Sequence, residues 1–363
     1  MFNNFYKNKR VLVTGHSGFK GSWLCYWLTE LGADVAGLSA YVPTDPSHFE
    51  AIGLKNLVQD FSLDIREYGS VEKVFKAFEP EVVFHLAAQP IVRTAYESPK
   101  DTFDTNAGGT VNICEALRHS PKTIAAVLIT SDKCYDNVEW DWGYRENDRL
   151  GGDDPYSASK ACAENVIRAY IRSYFSTGGT VNVASTRAGN VIGGGDWAKD
   201  RIVPDCMKAW GKGEKVMIRN PLATRPWQHV LDPLSGYLWL GVKLYEGQED
   251  VCGEAFNFGP QSEVIQPVEE LVEAIKRYWP NVRWEHQSEE KPHKESGLLK
   301  LTCDKALRRL KWQALLNFDQ TVQFTAEWYR AFYDGQREME EVTQKQIQAY
   351  SEIALAKNAI WSL

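Results

Sequence analysis

The chain has 363 residues, of which 44% are hydrophobic and 25% charged, and its formal net charge is −7. This length allows two lobes, because single hydrophobic cores stop growing near roughly 250 to 300 residues. The acidic balance argues against nucleic acid or an anionic membrane as the main partner, since both favour a basic protein face. Apolar runs are short, and the seven cysteines are scattered singly. We therefore expect a cytoplasmic, globular protein without a bound metal.

Short apolar runs alternate with helical patterns through the first half of the chain. The runs that predict strands are 10–15, 34–40, 57–64, 81–88, 123–132 and 181–190. The intervening patterns predict helices over 18–31, 69–78, 99–118 and 155–175. The strand runs are rich in Val, Ile and Leu without polar alternation, which is typical of strands buried on both faces. The sequence thus predicts an α/β protein with a Rossmann-type, doubly wound parallel sheet.

Beyond residue 190 this alternation stops. The segments 193–205 and 220–233 have the composition of ordered loops between short helices, and 319–357 predicts one or two closing helices. We expect a smaller, mixed C-terminal substrate lobe beside the Rossmann domain. The predicted boundaries are 1–187 for the NAD-binding domain, to which part of 228–250 returns, 188–227 and 251–330 for the substrate lobe, and 331–363 for a helical tail.

A glycine-rich turn directly follows the first predicted strand. Its glycines form a G-x-x-G-x-x-G pattern, and the following helix begins near the second of them. Glycines let the backbone approach a pyrophosphate, whose charge then meets the helix N-terminus. The turn residues that we expect at a dinucleotide are Gly15, Ser17, Gly18, Phe19, Lys20 and Gly21.

The end of the second predicted strand carries Ser39 where dinucleotide-binding folds usually carry an acidic residue for the adenosine ribose. A hydroxyl makes a weaker hydrogen bond to the ribose than a carboxylate does, and no Arg follows within 39–46 to favour NADP. We therefore predict NAD, bound less tightly than by proteins that carry Asp there. Asp64, with Ile65, ends the third strand, and its carboxylate has two open roles: a hydrogen bond to the adenine amino group, or a helix cap.

Tyr156 and Lys160 are four residues apart in a predicted helix and so share one face. A neighbouring ammonium stabilises phenolate, so we expect Lys160 to lower the pKa of Tyr156 and make it a base for a sugar hydroxyl. Ser131 ends the fifth predicted strand some 25 residues earlier. Strand carboxyl ends form the active crevice of open α/β sheets, so we expect these three side chains to meet there.

From about residue 8 to about residue 330 the chain resembles the extended short-chain dehydrogenase/reductase family, and within it the nucleotide-sugar 4,6-dehydratases. Besides the features above, the resemblance rests on HLAAQ (85–89), Asn106 in DTNAGGT, RAGNV (187–191) and RPWQHV (225–230). The strings GHSGFKGSWL (15–24), TSDKCYDN (130–137) and GNVIGGGDWAKDRIVPD (189–205) are similar to those of members that act on CDP-D-glucose. Members that act on dTDP-glucose carry Asp-Glu where this chain has Asp132-Lys133.

The resemblance implies roles for further residues. Those implied along the cofactor are Leu86, Ala87, Ala88, Gln89 and Asn106, together with Tyr156 and Lys160. Those implied at the sugar nucleotide are Gln89, Arg187, Asn190, Arg201, Arg225 and His293. Ion pairing with a nearby carboxylate is the alternative for Arg187 and Arg225, and a surface turn is the alternative for His293 and Glu295. Trp197 and Trp227 lie in matched loops and serve either as ring platforms for the substrate or as core.

The implied reaction oxidises C4 of the hexose, eliminates water across C5 and C6, and reduces C6. Ser131 would orient the C4 oxygen, Asp132 would serve as the acid at C6, and Lys133 would act at C5 as base or as electrostatic support. Two rival hypotheses remain, a nucleotide-sugar 4-epimerase and a non-catalytic dinucleotide sensor. The resemblance also implies a homodimer that associates through the helices near 99–118 and 155–175.

Overall fold

A central parallel sheet organises the protein. The computed structural model describes residues 1–175, 181–261, 264–279, 282–286, 298–335 and 337–363. The strands are β1 (Arg10–Thr14), β2 (Asp34–Ser39), β3 (Gln59–Ser62), β4 (Val82–His85), β5 (Ala125–Ile129), β6 (Asn182–Arg187), β7 (Val191–Ile192), β8 (Val216–Ile218), β9 (Thr224–Arg225), β10 (Gln228–His229), β11 (Ala255–Asn257), β12 (Gln266–Pro267) and β13 (Trp284–His286).

Helices cover the sheet and build the second lobe. They are α1 (Phe19–Glu30), α2 (His48–Ala51), α3 (Tyr68–Phe78), α4 (Val92–Glu97), α5 (Pro99–Phe103), α6 (Gly109–His119), α7 (Pro155–Tyr170), α8 (Ile202–Gly211), α9 (Leu231–Tyr245), α10 (Val268–Lys276), α11 (Phe318–Asp334) and α12 (Met339–Ala356). A π-helical segment, Asp104–Gly108, joins α5 to α6. The predicted helix 99–118 is thus one helical run with a local irregularity, a feature that is frequent at functional sites.

The described residues form a seven-stranded sheet with the order β11-β6-β5-β4-β1-β2-β3, in which all pairings are parallel. The predicted Rossmann-type fold is confirmed. The strand order reverses between β1 and β4, and a crevice forms outside the carboxyl ends of strands at such a point. β1, β4 and β5 end at this crevice with Thr14, His85 and Ile129.

Both faces of the sheet are buried, because neighbouring residues along each strand enter different cores. Leu12, Val83 and Ala126 face a core that α3, α6 and α7 share. Val11, Phe84 and Val127 face the larger core, which includes α1 and α9. This double burial explains the uninterrupted apolar runs that predicted the strands.

One predicted boundary differs from the structure. We expected 251–330 to lie in the substrate lobe, yet Ala255–Asn257 pairs in parallel with Ser185–Arg187 as the seventh strand of the central sheet. A three-residue strand has too little sequence pattern to predict, and its place depends on pairing with residues about 70 positions away. The tail forms two helices, α11 and α12, within the range that predicted one or two.

Candidate functional site

The glycine turn after β1 fits a dinucleotide pyrophosphate. Gly15 has φ +75°, and a Cβ there would lie 2.7 Å from the backbone nitrogen of Ala87. A Cβ on Gly21 would lie 2.0 Å from the carbonyl oxygen of Gly15. These contacts hold the end of β1, the segment after β4 and the start of α1 closely together. Gly18 caps α1 without a side-chain hydrogen bond, which leaves the first N–H groups of the helix for an anion.

A cluster of polar side chains lies beside this turn, at the position of Ser39 where we predict that the adenosine ribose binds. The Ser39 hydroxyl lies 3.0 Å from Nδ1 of His16 and accepts a hydrogen bond from the Ser17 amide. Nε2 of His16 lies 3.0 Å from a carboxylate oxygen of Asp60. The imidazole covers Gly37 of β2, where a Cβ would lie 2.1 Å from the ring. Sequence reasoning missed His16 and Asp60, although a histidine within a glycine turn was the available signal.

The structure places Asp64 in a turn before α3. Its carboxylate accepts hydrogen bonds from the Arg66 amide at 2.9 Å and from the Arg66 guanidinium at 2.7 and 2.9 Å. The guanidinium holds the pKa of Asp64 below its usual value. Ile65 is buried against Gly109 of α6. This arrangement supports local turn formation by Asp64, whereas α3 is capped by Glu67 without a side-chain hydrogen bond, so Asp64 is not its helix cap. The adenine contact remains a prediction.

Hydrogen bonds of Asn106 connect the segment after β4 to α7. Its amide exchanges hydrogen bonds with the Gln89 backbone at 2.8 and 3.1 Å and donates to the Ser159 hydroxyl at 2.8 Å. The Gln89 side chain donates to Thr102 and accepts from the Ile91 amide. After β4, the Leu86 amide donates to the Thr14 carbonyl and the Ala87 amide donates to the Thr14 hydroxyl, and Ala88 continues the segment. This backbone therefore runs past the glycine turn, as the resemblance implied.

Three consecutive residues after β5 have distinct surroundings. The Ser131 hydroxyl donates to Asp132 at 3.0 Å and accepts from the Lys133 amide at 3.2 Å. Asp132 is buried, and its carboxylate lies where a Cβ on Gly189 would be, 1.9 Å from one oxygen. Lys133 is half-buried. A turn of three residues, Asp132–Cys134, thus presents an acid and an amine beside one hydroxyl.

The structure brings Tyr156 to Ser131. Asp154 caps α7 by accepting the amides of Tyr156 and Ser157 at 2.9 and 3.0 Å, which fixes the first turn of the helix. The Tyr156 phenol is buried and lies near enough to Ser131 for this hydroxyl to lower its pKa, while Lys160 is buried one turn later. The structure thus brings Tyr156 near Ser131, and Lys160 lies on the same helix one turn later.

The pKa of Tyr156 is shifted in the direction opposite to the one that we predicted from the sequence. Burial raises the pKa of Tyr156 to about 12, against the smaller effect of the Ser131 hydrogen bond. Burial and the neighbouring Lys20 lower the pKa of Lys160 to about 8. The pKa of the phenol was expected to fall because of Lys160, but desolvation dominates. The groups of the protein alone keep Tyr156 protonated at neutral pH.

The side chain of Arg187 is buried in an ion pair. Its guanidinium is buried and pairs with Glu164 at 2.8 Å, and it donates to the Tyr135 hydroxyl at 2.7 Å and to the Glu146 carbonyl at 3.0 Å. We therefore correct the predicted substrate contact and assign this arginine to the ion-pair alternative. Glu164, which sequence reasoning missed, lies one turn beyond Lys160 on α7.

The remaining predicted substrate residues lie around the loops after β6. Asn190 has φ +53°, and its carbonyl accepts the Gln228 amide at 3.2 Å. Arg201 pairs with Asp196 at 2.8 Å and remains about one third exposed. Arg225 lies in β9 and donates to the Thr224 carbonyl. His293 and Glu295 lie outside the described residues.

Trp197 and Trp227 are core residues. Trp197 is 1% exposed and contacts the rings of Trp328, Tyr329 and Phe332. Trp227 is 6% exposed and donates to the Gln266 carbonyl. Burial on this scale supports the packing alternative for both, rather than a platform for the substrate.

No helix among the described residues combines the length and the apolar character that a bilayer crossing needs. No group of three or more His, Cys, Asp or Glu side chains in the same residues is placed to hold a metal ion.

The sheet reversal, the glycine turn before an uncapped helix and the Ser/Tyr/Lys set define a dinucleotide-dependent enzyme that acts at a carbon bearing oxygen. The chain belongs to the NAD dependent epimerase/dehydratase family, whose profile matches residues 11–259. NAD is therefore the cofactor, as predicted. The match confirms the predicted relation to extended dehydrogenases and dehydratases.

Individual relatives agree with this membership. Over 339 residues the chain is 47% identical to the CDP-glucose 4,6-dehydratase of Salmonella typhimurium, covering 92% of this chain and 94% of that protein. It is 27% identical to a probable dTDP-glucose 4,6-dehydratase of Sinorhizobium fredii, over 88% of this chain and 92% of the relative.

A solved structure of dTDP-glucose 4,6-dehydratase from Bacillus anthracis in complex with NAD matches with a TM-score of 0.72. It covers 90% of this chain and 98% of its own length at 22% identity. The UDP-glucose 4-epimerase of Thermotoga maritima matches with a TM-score of 0.76 at 22% identity, covering 89% and 99%. At these identities the solved structures support the fold alone.

Proposed function

We propose that this protein converts CDP-D-glucose to CDP-4-keto-6-deoxy-D-glucose and water in an NAD-dependent reaction. The observation that carries the proposal is the turn after β5, in which Ser131 hydrogen-bonds the buried Asp132 carboxylate and the Lys133 amide near the buried phenol of Tyr156. An epimerase needs the first pair but not an acid and an amine beside it. The 47% identity to a CDP-glucose 4,6-dehydratase supports the same substrate.

Each residue has one task in this reaction. Ser131 orients the C4 hydroxyl of the hexose, and Tyr156 accepts its proton as C4 is oxidised. NAD, when bound, supplies the reversible two-electron oxidant, and its cationic ring favours the phenolate that the protein alone does not. Lys133 then removes the proton at C5, which the new ketone acidifies. Asp132 protonates the departing hydroxyl at C6, so that water leaves. C6 then receives the hydride that was removed from C4, and Lys133 returns the proton to C5, which gives the 4-keto-6-deoxy sugar and the starting form of the cofactor.

Substrate contacts are proposed for residues that border the crevice. Asn190 lies in the loop between β6 and β7, Arg225 lies in β9, and Arg201 lies beside Asp196. Cationic and amide groups at these positions are suited to a diphosphate. Gln89 contributes through its backbone segment, because its side chain is already hydrogen-bonded to Thr102 and Ile91. The contact of His293 with the sugar nucleotide remains a prediction.

Incubation with CDP-, dTDP-, UDP- and GDP-hexoses, followed by mass spectrometry of the products, tests the proposal. We expect the loss of one water from CDP-D-glucose and little change in the other three. Tyr156→Phe should abolish turnover and serves as the catalytic control. A product of unchanged mass from CDP-D-glucose would instead establish an epimerase. Binding of NAD without any turnover would establish a sensor.

We further propose that two copies associate through α5, α6 and α7 in a cytoplasmic enzyme. Tyr96 and Tyr174 are 42% and 45% exposed near these helices, so the surface offers aromatic contacts. Light scattering after size-exclusion chromatography should give twice the mass of 41.2 kDa. A monomer at micromolar concentration would exclude this association. Cell fractionation tests the compartment.

A further inference from the structure

The side chain of Tyr135 connects the turn Asp132–Cys134 to the central sheet. Tyr135 directly follows this turn, and its amide donates to the Asp132 carbonyl at 3.3 Å. The residue is 1% exposed, and its hydroxyl donates to Oδ1 of Asn257 at 2.8 Å. Asn257 is the last residue of β11, which pairs with β6. A buried side-chain contact to a distant strand therefore holds the end of the turn that carries the proposed acid and amine.

Two buried partners fix the hydroxyl of Tyr135. Arg187 donates to it at 2.7 Å, and the guanidinium carbon lies 4.8 Å from the centre of the Tyr135 ring. Asn257, which accepts from it, is fully buried, and its side-chain nitrogen donates to the carbonyls of Tyr144 and Thr302 at 2.8 and 3.1 Å. The phenol thus has one favoured orientation, because any other would leave a buried polar group without its hydrogen bond.

The side chain of Lys133 has no comparable anchor. Its amide donates to the Ser131 hydroxyl at 3.2 Å, but its ammonium has no hydrogen-bond or ion-pair partner among the described residues. The side chain is half-buried. The place that the ammonium reaches therefore depends on the backbone of the turn, which Ser131 holds at its start and Tyr135 at its end.

Other contacts hold the helix of the group that oxidises C4. Asp154 fixes the first turn of α7, which carries Tyr156. Further along α7, Glu164 pairs with Arg187 at 2.8 Å and accepts two more hydrogen bonds, from residues after β5 and in β6. Loss of the Tyr135 hydroxyl would leave all of these contacts in place. We therefore expect the phenol that oxidation needs to keep its position when the end of the turn is released.

We propose that Tyr135 is a positioning residue for the elimination of water. Its hydroxyl holds the end of the turn and so keeps Lys133 where the amine can take the C5 proton of the ketone. Asp132, on the same turn, gives a proton to the C6 hydroxyl, which leaves as water. Tyr135 acts through these two residues and contacts neither the substrate nor the cofactor. The inference rests on the proposed function, which supplies the order of oxidation and elimination.

A single turnover of CDP-D-glucose, followed by the absorbance of the reduced cofactor, separates the two half-reactions. The absorbance rises as C4 is oxidised, and it decays as hydride reaches C6 after water has left. Tyr135→Phe keeps the ring and removes the hydroxyl. We expect the rise to stay close to that of the wild type and the decay to slow by about 10- to 100-fold, because a small misplacement of a reacting group has an effect of this size.

Tyr144→Phe is the matched control. Tyr144 is 3% exposed and stacks on Tyr135 with ring centres 5.1 Å apart, but its hydroxyl contacts Asn137 and the Val138 amide instead of the turn. Its rise and decay should both stay near the wild-type values. Asn257→Ala removes the acceptor of the Tyr135 hydroxyl and should slow the decay as Tyr135→Phe does. Thermal unfolding shows whether each variant is folded.

Exchange of hydrogen at C5 is a second measurement, and it needs no oxidation. In deuterated water, Lys133 should exchange the C5 hydrogen of the product, CDP-4-keto-6-deoxy-D-glucose, because the neighbouring ketone acidifies this position. NMR spectra of the product should show the enzyme-dependent exchange slowed in Tyr135→Phe by about the same factor as the decay. Tyr144→Phe should exchange at the wild-type rate.

Equal slowing of rise and decay in Tyr135→Phe would overturn the proposal, because it would show that the hydroxyl supports the whole site. A decay unchanged from the wild type, or slowed as much in Tyr144→Phe, would overturn it too. If Tyr135→Phe does not fold, an unchanged decay in Asn257→Ala has the same meaning. A wild type that releases no water from CDP-D-glucose would refute the proposed function and this inference with it, whereas the other results refute the inference alone.

Discussion

At the carboxyl end of β5, single side chains decide which reaction the shared fold performs. Ser131 and Tyr156 suffice to oxidise an alcohol, whereas Asp132 and Lys133 supply the groups that an elimination needs. Asp132 is buried against Gly189, and Lys133 is half-buried, so both are placed by the same short turn. Their position one and two residues after the serine makes separate tests of oxidation and elimination possible.

Lys133→Met and Asp132→Asn should still oxidise C4 but stall before water is lost. The expected decrease in dehydration is about 10²- to 10⁴-fold, the usual contribution of general acid–base catalysis. Absorbance of reduced cofactor and the mass of the sugar nucleotide measure the two halves separately. Asp132→Asn keeps an oxygen that can accept the Ser131 hydrogen bond, which preserves the local geometry.

A substrate deuterated at C4 provides the control for these variants. In the wild type, deuterium should appear at C6 of the product without crossing to a second substrate labelled with heavy carbon, because the cofactor is not exchanged during turnover. Substantial crossover would show that the reduced cofactor exchanges during turnover. Variants that fail to form the reduced cofactor would show that Asp132 and Lys133 act at an earlier step.

Ser39→Asp should tighten NAD binding about tenfold, because a charged acceptor makes a stronger hydrogen bond to the ribose. Ser39→Ala is the matched control and should change the affinity little. His16 lies 3.0 Å from the Ser39 hydroxyl, so its ring would compete with the ribose for hydrogen bonds to the new carboxylate and would reduce the gain in affinity. Calorimetric titration with NAD measures both variants. Wild-type protein that retains a full complement of NAD through dialysis would contradict the account of weak binding.

At the scale of secondary structure, hydrogen bonds between α7 and the sheet position Tyr156 and Lys160. Glu164 accepts hydrogen bonds from Thr130 at 2.5 Å, from Ser185 at 3.0 Å and from Arg187 at 2.8 Å. These residues lie directly after β5 or within β6, so one carboxylate connects the helix of Tyr156 to two strand ends. Asn106 provides a second connection, from the π-helical segment to Ser159.

Arg187→Met should reduce the free energy of unfolding by about 3 to 5 kcal/mol, because it leaves the Glu164 carboxylate buried without its cation. The double variant Arg187→Met/Glu164→Gln should recover much of that loss. Urea unfolding of both proteins measures the difference. If Arg187→Met were as stable as the wild type and only raised KM for CDP-D-glucose, the substrate contact predicted from the sequence would be reinstated.

At the scale of the whole molecule, α9 joins the sheet to the C-terminal helices. Asp232 on α9 is fully buried and accepts hydrogen bonds from the Leu315 amide and the Tyr350 hydroxyl, both at 2.8 Å. Its second oxygen has no hydrogen-bond partner among the described residues. Tyr350 lies in α12, which therefore closes the fold through a buried polar contact as well as through its apolar face.

Burial raises the pKa of Asp232 from 3.8 to about 6. The folded state thus binds a proton that the unfolded state has released between about pH 4 and 6, and this group lowers stability as pH rises through that window. Asp232→Asn resembles the protonated form and should unfold less readily than the wild type at pH 8, by about 2 to 3 kcal/mol. The advantage should largely vanish at pH 4. An equal difference at both pH values would contradict the raised pKa.

The sequence by itself determined the features that depend on near neighbours along the chain. Uninterrupted apolar runs predicted parallel strands, the glycine turn predicted the start of α1, and the four-residue spacing of Tyr156 and Lys160 predicted a shared helix face. The strings that resemble dehydratases depend on order along the chain in the same way. All of these predictions rest on local periodicity or on contiguous residues.

Only the tertiary structure decided the features that depend on burial and on pairing between distant residues. Arg187 meets Glu164, 23 residues earlier, instead of a phosphate, and Ala255–Asn257 joins the sheet through β6. The pKa of Tyr156 rises because desolvation outweighs the opposing effects of Ser131 and Arg201. The local dielectric and the partner of a buried charge are set by residues far along the chain, which no local pattern reveals.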